Sequence, residues 1–246
     1  MYKLGLLGKN ISYSFSRNYF KNKFKDENID HVNYDNFDID NIASFTSIIQ
    51  NTAGLKGLNV TIPYKQTVIP FLDKLDKKAK AIGAVNTIKI TKKGKLVGYN
   101  TDCFGFKKSI KPFLKSHHKS ALILGTGGAS KAVVYTLEKL GITCHYVSRK
   151  MTKGISFTYS TLTPQDINTH KIIVNCTPLG TFPNIEMCPD IEFNTITDKH
   201  IAFDLIYNPE ETTFLRLAKQ QGAVTINGLE MLKQQAEKAW SIWNVV

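Results

Sequence analysis

Ala121-Leu122-Ile123-Leu124-Gly125-Thr126-Gly127-Gly128-Ala129-Ser130 is the stretch on which the reading of this chain turns. Four uninterrupted apolar residues predict a short strand buried on both faces. They run straight into a glycine turn, and a helical stretch, Ala129–Leu140, follows until Gly141 ends it. Gly125 permits a tight turn, and Gly127 lets the backbone approach a pyrophosphate. The start of the helix then offers N–H groups and a partial positive charge to the anion. The spacing departs from G-x-G-x-x-G, because Ser130 stands where a third glycine or alanine is usual. Serine is small enough to keep the helix close to the strand.

The choice of dinucleotide is read at the end of the next strand, Thr143–Val147. An NAD site places a carboxylate there to hold the ribose 2′-hydroxyl. This chain has Val147-Ser148-Arg149-Lys150, without an acid. A guanidinium there suits a 2′-phosphate, with Ser148 and Thr152 as hydroxyl donors, so the expected cofactor is NADP(H).

Outward from this unit, the chain alternates strand and helix patterns. Strands are expected at Lys3–Leu7, His31–Phe37, Leu55–Thr61, Val85–Ile90, Leu96–Tyr99, Ile172–Asn175 and Ile201–Leu205. Helices are expected at Ser16–Lys25, Asp40–Gln50, Thr67–Leu75, Thr101–Leu114 and Leu229–Trp243, with a hairpin turn at Lys92–Lys95. Such alternation predicts an α/β fold, with a parallel sheet covered on both faces. Two α/β units follow one another with a joint near residues 100–103, and the cleft between such units is the default ligand site.

With 246 residues, 42% hydrophobic and 21% charged, the chain is long enough for one large or two small domains and too apolar to be disordered. No stretch reaches the roughly 18–20 apolar residues of a membrane span, and the N-terminus lacks a signal-peptide pattern, so a soluble, cytoplasmic protein is expected. Cys103, Cys144, Cys176 and Cys188 form no C-x-x-C pair, and His117-His118 has no third ligand nearby, so no metal is expected. The net charge of +12 is spread over scattered lysines, and the densest run, Lys74–Lys80, reads as a solvated helix face. No nucleic-acid or membrane partner is expected, and the chain is read as a monomer or homodimer.

Polar groups gather at four other places: Ser14-x-Ser16, the stretch Gly57–Lys65, Gly83–Thr87 and Gly98–Asp102. Hydroxyls, amides, one lysine and one carboxylate at strand ends suit a small polyhydroxylated acid. With Gly125–Ser130, Asn175–Gly180, Asp204–Pro209 and Asn227–Ala236 they make eight motifs in register along nearly the whole chain, and together they resemble the shikimate dehydrogenase family. The resemblance implies a substrate domain over 1–101 joined by a returning helix at 229–246, and a Rossmann-type NADP domain over 102–228. It implies reversible reduction of 3-dehydroshikimate to shikimate with NADPH, a step toward chorismate and the aromatic amino acids.

The same resemblance implies residue roles. Lys65 and Asp102 are the catalytic pair. Ser14, Ser16, Asn59, Thr61, Asn86, Tyr207 and Gln235 form the substrate shell. Gly125, Thr126, Gly127, Gly128, Ala129, Ser130, Ser148, Arg149, Lys150, Leu205 and Gly228 form the cofactor shell. Hydride addition to a ketone leaves an alkoxide that needs a proton; a lysine beside it can supply one, and an aspartate can orient that lysine. For Gln235 to reach the substrate, the last helix must cross back to the first domain. Two positions depart from the family pattern: Arg17, where proline often follows the second serine, and Lys77, where an acid is common.

Overall fold

The computed structural model describes residues 1–12 and 14–243. They form two compact units: Met1–Thr101 with the chain from Gln235 on, and Asp102–Gln234. Residues 244–246, the end of the expected returning segment, lie outside the described residues.

The first unit contains β1 (Tyr2–Gly8), α1 (Phe15–Asp26), β2 (Val32–Asp38), α2 (Phe45–Asn51), β3 (Leu55–Val60), β4 (Lys74–Leu75), α3 (Lys77–Ile82), β5 (Thr87–Ile90) and β6 (Leu96–Tyr99). The sheet order is β2-β1-β3-β5-β6-β4. β1 runs parallel to β2 and β3, whereas β5 is antiparallel to both β3 and β6. The first sheet is therefore mixed, and its antiparallel β5–β6 pair is the hairpin expected at Lys92–Lys95. A tight β5–β6 hairpin, with Gly94 at φ +76°, reverses the chain where a parallel crossover would need a helix. Side chains alternate between two cores. Leu4 and Leu6 meet Phe20 and Phe24 of α1, while Leu7 joins Leu58, Val60 and Ile88 with Phe45 of α2 and Ala79 of α3.

The second unit contains α4 (Asp102–Ile110), β7 (Ser120–Leu124), α5 (Gly128–Lys139), β8 (Thr143–Ser148), β9 (Phe157–Thr158), α6 (Pro164–Thr169), β10 (Ile172–Asn175), β11 (Ile201–Asp204), α7 (Thr213–Gln220) and β12 (Val224–Ile226). Its strands lie in the order β12-β11-β10-β7-β8-β9, all parallel. Both faces are covered: Ala121 and Ile123 face Phe106 of α4 and Val133 of α5, and Leu122 and Leu124 face Ile167 of α6 and Phe214 of α7. The chain leaves β7 toward β8 and returns on its other side at β10. That makes the carboxyl ends of β7 and β10 the switch point, where open α/β sheets bind ligands.

The last helix, α8 (Leu229–Trp243), starts in the second unit and ends in the first. Its far half docks on α1 and the first sheet. Trp243 is 2% exposed, lies 5.6 Å from the Phe20 ring and donates its indole N–H to Ile88 O at 2.9 Å. Gly57 makes room for it, since a Cβ there would run into the indole. Tyr19 and Lys23 of α1 both hydrogen-bond the Glu237 carboxylate.

Thr67–Leu75, expected as a helix, is not one. The segment holds a 3-10 turn at Ile69–Phe71 and then β4. Pro70 has no N–H to donate and disfavours helix at the residue before it. The sheet edge takes the rest: Asp73 N–H donates to Leu96 O, and Leu96 N–H to the Asp73 carboxylate. The helix in this region is the shorter α3, capped by Asp76 accepting from Ala79 N–H at 2.7 Å. It leaves Lys77, Lys78 and Lys80 exposed. The expected helix Asp40–Gln50 is a 3-10 turn, Ile42–Ser44, followed by α2.

Candidate active site

In the first unit, polar side chains meet where β3, β5 and the end of β6 lie side by side. Asn59 sits opposite Thr87, and Thr87 opposite Tyr99, in the strand register. The Asn59 amide nitrogen donates to Thr87 Oγ1 at 3.2 Å and to Asn86 O at 3.3 Å. Its amide oxygen accepts from the Tyr34 hydroxyl at 2.8 Å. Tyr34 is buried and also hydrogen-bonded by Ser16, and burial raises its pKa, so it serves as a neutral donor. The Asn86 amide nitrogen donates to Thr101 Oγ1 at 3.0 Å and to Gln235 Oε1 at 2.9 Å, while its oxygen accepts from Thr101 N at 2.7 Å. One lattice of hydroxyls and amides therefore joins Ser16, Asn59, Asn86 and Gln235, residues spread over α1, β3, the β5 approach and α8. Fixed polar groups of this kind hold an array of hydroxyls without reorganising.

The remaining expected residues of this unit stand at loop positions. Ser14 is the residue before α1, and its hydroxyl makes no capping bond. Thr61 follows β3, its N–H held by Leu7 O at 2.9 Å. Lys65 lies half-buried in the turns after Pro63, with its carbonyl accepting from Val85 N–H at 2.7 Å. Asp102 is the first residue of α4 in the second unit and is 1% exposed. Tyr207 also belongs to the second unit, in the loop after β11.

The glycine turn of the second unit has the geometry that its sequence predicts. Gly125 follows β7 at φ +98°, a conformation side chains rarely adopt, and a Cβ there would press on Cys176 O at 3.2 Å. Gly127 precedes α5 with open space around its Cα, no side chain caps the helix, and no acid occupies its first turn. Thr126 is exposed, and Gly128 and Ala129 open the helix, half-buried. Ser130 is fully buried and donates to Gly127 O at 2.7 Å, so the third small residue braces the turn. Ser148 ends β8, with Arg149 and Lys150 exposed in the bend beyond it. Leu205 donates its N–H to Asn175 O at 3.1 Å. Gly228 packs so closely on the Leu205 carbonyl that a Cβ would collide with it.

Several network members went unread in the sequence. Tyr34 had a signal, its place on the inward face of the alternating strand His31–Phe37. Thr87 and Thr101 lay within noted motifs without a role. Asn175 and Asp204 also had one: each is the single polar residue ending a wholly apolar buried strand.

Residues 6–88 match the family model described as the shikimate dehydrogenase substrate binding domain. The NADP(+) shikimate dehydrogenase of Methanosphaera stadtmanae is 38% identical over 257 residues, which cover 97% of this chain and 90% of that protein. A shikimate dehydrogenase crystallised with NADP+ superposes with a TM-score of 0.88 at 34% identity, over 100% of this chain and 91% of that one. The Thermus thermophilus enzyme, crystallised with NADP(H) and shikimate, gives a TM-score of 0.87 at 26% identity, over 100% and 94%.

Proposed function

This chain belongs to the shikimate dehydrogenase family, and we propose that it interconverts 3-dehydroshikimate and shikimate with NADP(H) on the way to aromatic amino acids. The observation that carries this reading is the buried lattice around Asn86, into which Gln235 is brought from far along the chain at 2.9 Å. It offers amides and hydroxyls to a substrate rich in hydroxyl groups, with Ser14, Ser16, Asn59, Thr61 and Tyr207 completing the shell.

The second unit fits the cofactor. Gly127 leaves room for a phosphate at an uncapped helix start, and the end of β8 carries Arg149 and Lys150 with no carboxylate. Gly125–Ser130 would hold the pyrophosphate, Ser148–Lys150 the 2′-phosphate, and Leu205 and Gly228 the remainder of the dinucleotide. NADPH, when bound, supplies the hydride. Lys65 donates the proton that the nascent alkoxide needs and stabilises its charge as it develops. Asp102 orients that ammonium and accepts from a substrate hydroxyl. In the reverse direction neutral Lys65 takes the proton back.

We read the protein as cytoplasmic, a monomer or homodimer, without a nucleic-acid or membrane partner. Among the described residues no helix is long and apolar enough to cross a membrane. Absorbance at the nicotinamide band, with shikimate and quinate each offered NADP+ and NAD+, tests the assignment. Fastest reduction with shikimate and NADP+ is expected; no reduction with that pair, or a preference for NAD+, would overturn it.

A further inference from the structure

Asp204 is a fully buried carboxylate that the proposed chemistry does not use. It ends β11, in line with Asn175 at the end of β10. Three donors converge on its oxygens, one at the end of β10, one two residues beyond Asp204 and one before α7. Thr212, the residue before α7, donates its hydroxyl at 2.6 Å; Ile206 donates its N–H at 3.0 Å; the Asn175 amide nitrogen lies 3.1 and 3.2 Å from the two oxygens.

Those partners are themselves the pins of the surrounding loops. Asn175 uses its own amide oxygen to hold Thr177 N–H at 3.0 Å and the Thr177 hydroxyl at 2.7 Å. The loop so fixed lies beside Gly125, close enough that a Cβ there would meet Thr177, and Ile206 O accepts from Gly228 N–H at 2.9 Å. One carboxylate thus ties together the backbone at Thr177, beside the glycine turn, and at Leu205 and Ile206, against Gly228. We propose that Asp204 is a positioning residue for the dinucleotide, holding these two loops in the binding geometry only while it is an acceptor on both oxygens. The inference rests on the NADP(H) reading given above.

The geometry makes this hold sensitive to protonation. A carboxyl group has a proton to give, and the groups around Asp204 are donors, so protonation forces at least one of them to turn away. Thr212 is the one able to reverse, its oxygen accepting from the carboxyl as well as from Leu215 N–H at 3.3 Å, but its hydroxyl proton then loses the acceptor it has at 2.6 Å. Burial, against the pull of Thr212, Ile206 and Asn175, pushes the Asp204 pKa up to about 6. The titratable neighbour is the Cys176 thiol, itself pushed well up by burial and by Asp204 and therefore neutral. β10 and β12 carry no other ionisable side chain, and Arg216 and Lys219 of α7 are exposed.

The test is titration of the full chain with NADP+ by calorimetry, comparing wild type and Asp204→Asn from pH 7.5 to pH 5. The 2′-phosphate titrates identically against both proteins, so the ratio of their dissociation constants isolates the carboxylate. Asparagine mimics the protonated state. The ratio should therefore be at least fivefold at pH 7.5 and close to one at pH 5. A ratio near one throughout, or one independent of pH, would overturn the proposal. Wild type that binds no NADP+ at any pH would instead refute the cofactor reading. Should Asp204→Asn fail to fold, wild type alone decides. The amides of Thr177 and Ile206, corrected for intrinsic exchange, should lose hydrogen-exchange protection at least threefold between pH 7.5 and pH 5. Unchanged protection there would equally overturn the proposal.

Discussion

In the function proposed for this chain, a single side chain selects between two dinucleotides. Arg149 stands where an NAD site keeps a carboxylate, exposed at the end of β8 and near enough to Tyr159 to draw down its phenol pKa against the rise that burial imposes. A planar guanidinium pairs with a phosphate through two parallel hydrogen bonds, and the ribose hydroxyl of NADH offers no such partner. Arg149→Ala should therefore weaken NADPH binding at least tenfold and NADH binding less than twofold, read as dissociation constants by nicotinamide fluorescence. Equal losses would mean that Arg149 does not select the cofactor. Tyr34 shows the opposite relation of residue to sequence. It reads as one more aromatic in an alternating strand, yet its hydroxyl fixes which way the Asn59 amide points.

At the level of elements, the best-read parts were those whose signal is local. β10 and α8 fall at the expected residues because one is an uninterrupted apolar run and the other a long helical stripe. The glycine turn was legible because only glycine tolerates the conformation at residue 125. Thr67–Leu75 was misread because its apolar spacing suits a helix, while Pro70 and the pairing of Asp73 with Leu96, which no local pattern announces, decide otherwise. α7 went unread although Phe214, Leu215 and Ala218 line its buried face, since it is only eight residues long. In the first sheet the hairpin turn at Lys92–Lys95 announces the reversal between β5 and β6, whereas no local pattern announces the antiparallel pairing of β5 with β3. α8 also carries a prediction. Trp243 fills the space left by Gly57 and anchors the helix that brings Gln235 to Asn86. Trp243→Ala should cost about 3–5 kcal/mol in denaturant unfolding, as large-to-small core changes do, and raise the KM for shikimate. Loss of stability with KM unchanged would detach the anchor from the site.

For the whole molecule, pH acts through buried histidines as well as through Asp204. His118 accepts from Lys115 N–H at its Nδ1, and His200 accepts from Thr197 N–H at its Nδ1. Both must be neutral to do so, and burial lowers both pKa values, with His117 adding to the effect at His118. The folded chain thus holds fewer protons than the unfolded one, whose histidines titrate near 6.5. Their contribution to stability is complete above that value and is lost as pH falls below it. Asp204 works with the opposite sign: its raised pKa adds stability toward acid, between the unfolded carboxylate value near 3.9 and about 6. The melting temperature should fall between pH 7 and pH 5.5, and His118→Gln with His200→Gln should flatten that slope. An unchanged slope in the double variant would remove the histidines from the account.

The central claim is that the first unit supplies the acid and the second the dinucleotide, so chemistry and cofactor binding come apart when one residue is changed. Lys65→Ala separates them most directly, with turnover of shikimate and the NADPH dissociation constant measured on the same preparation. General acid–base assistance is worth roughly 10²–10⁴ in rate, so turnover should drop at least a hundredfold while NADPH affinity stays within twofold of wild type. Turnover close to that of wild type would contradict the account.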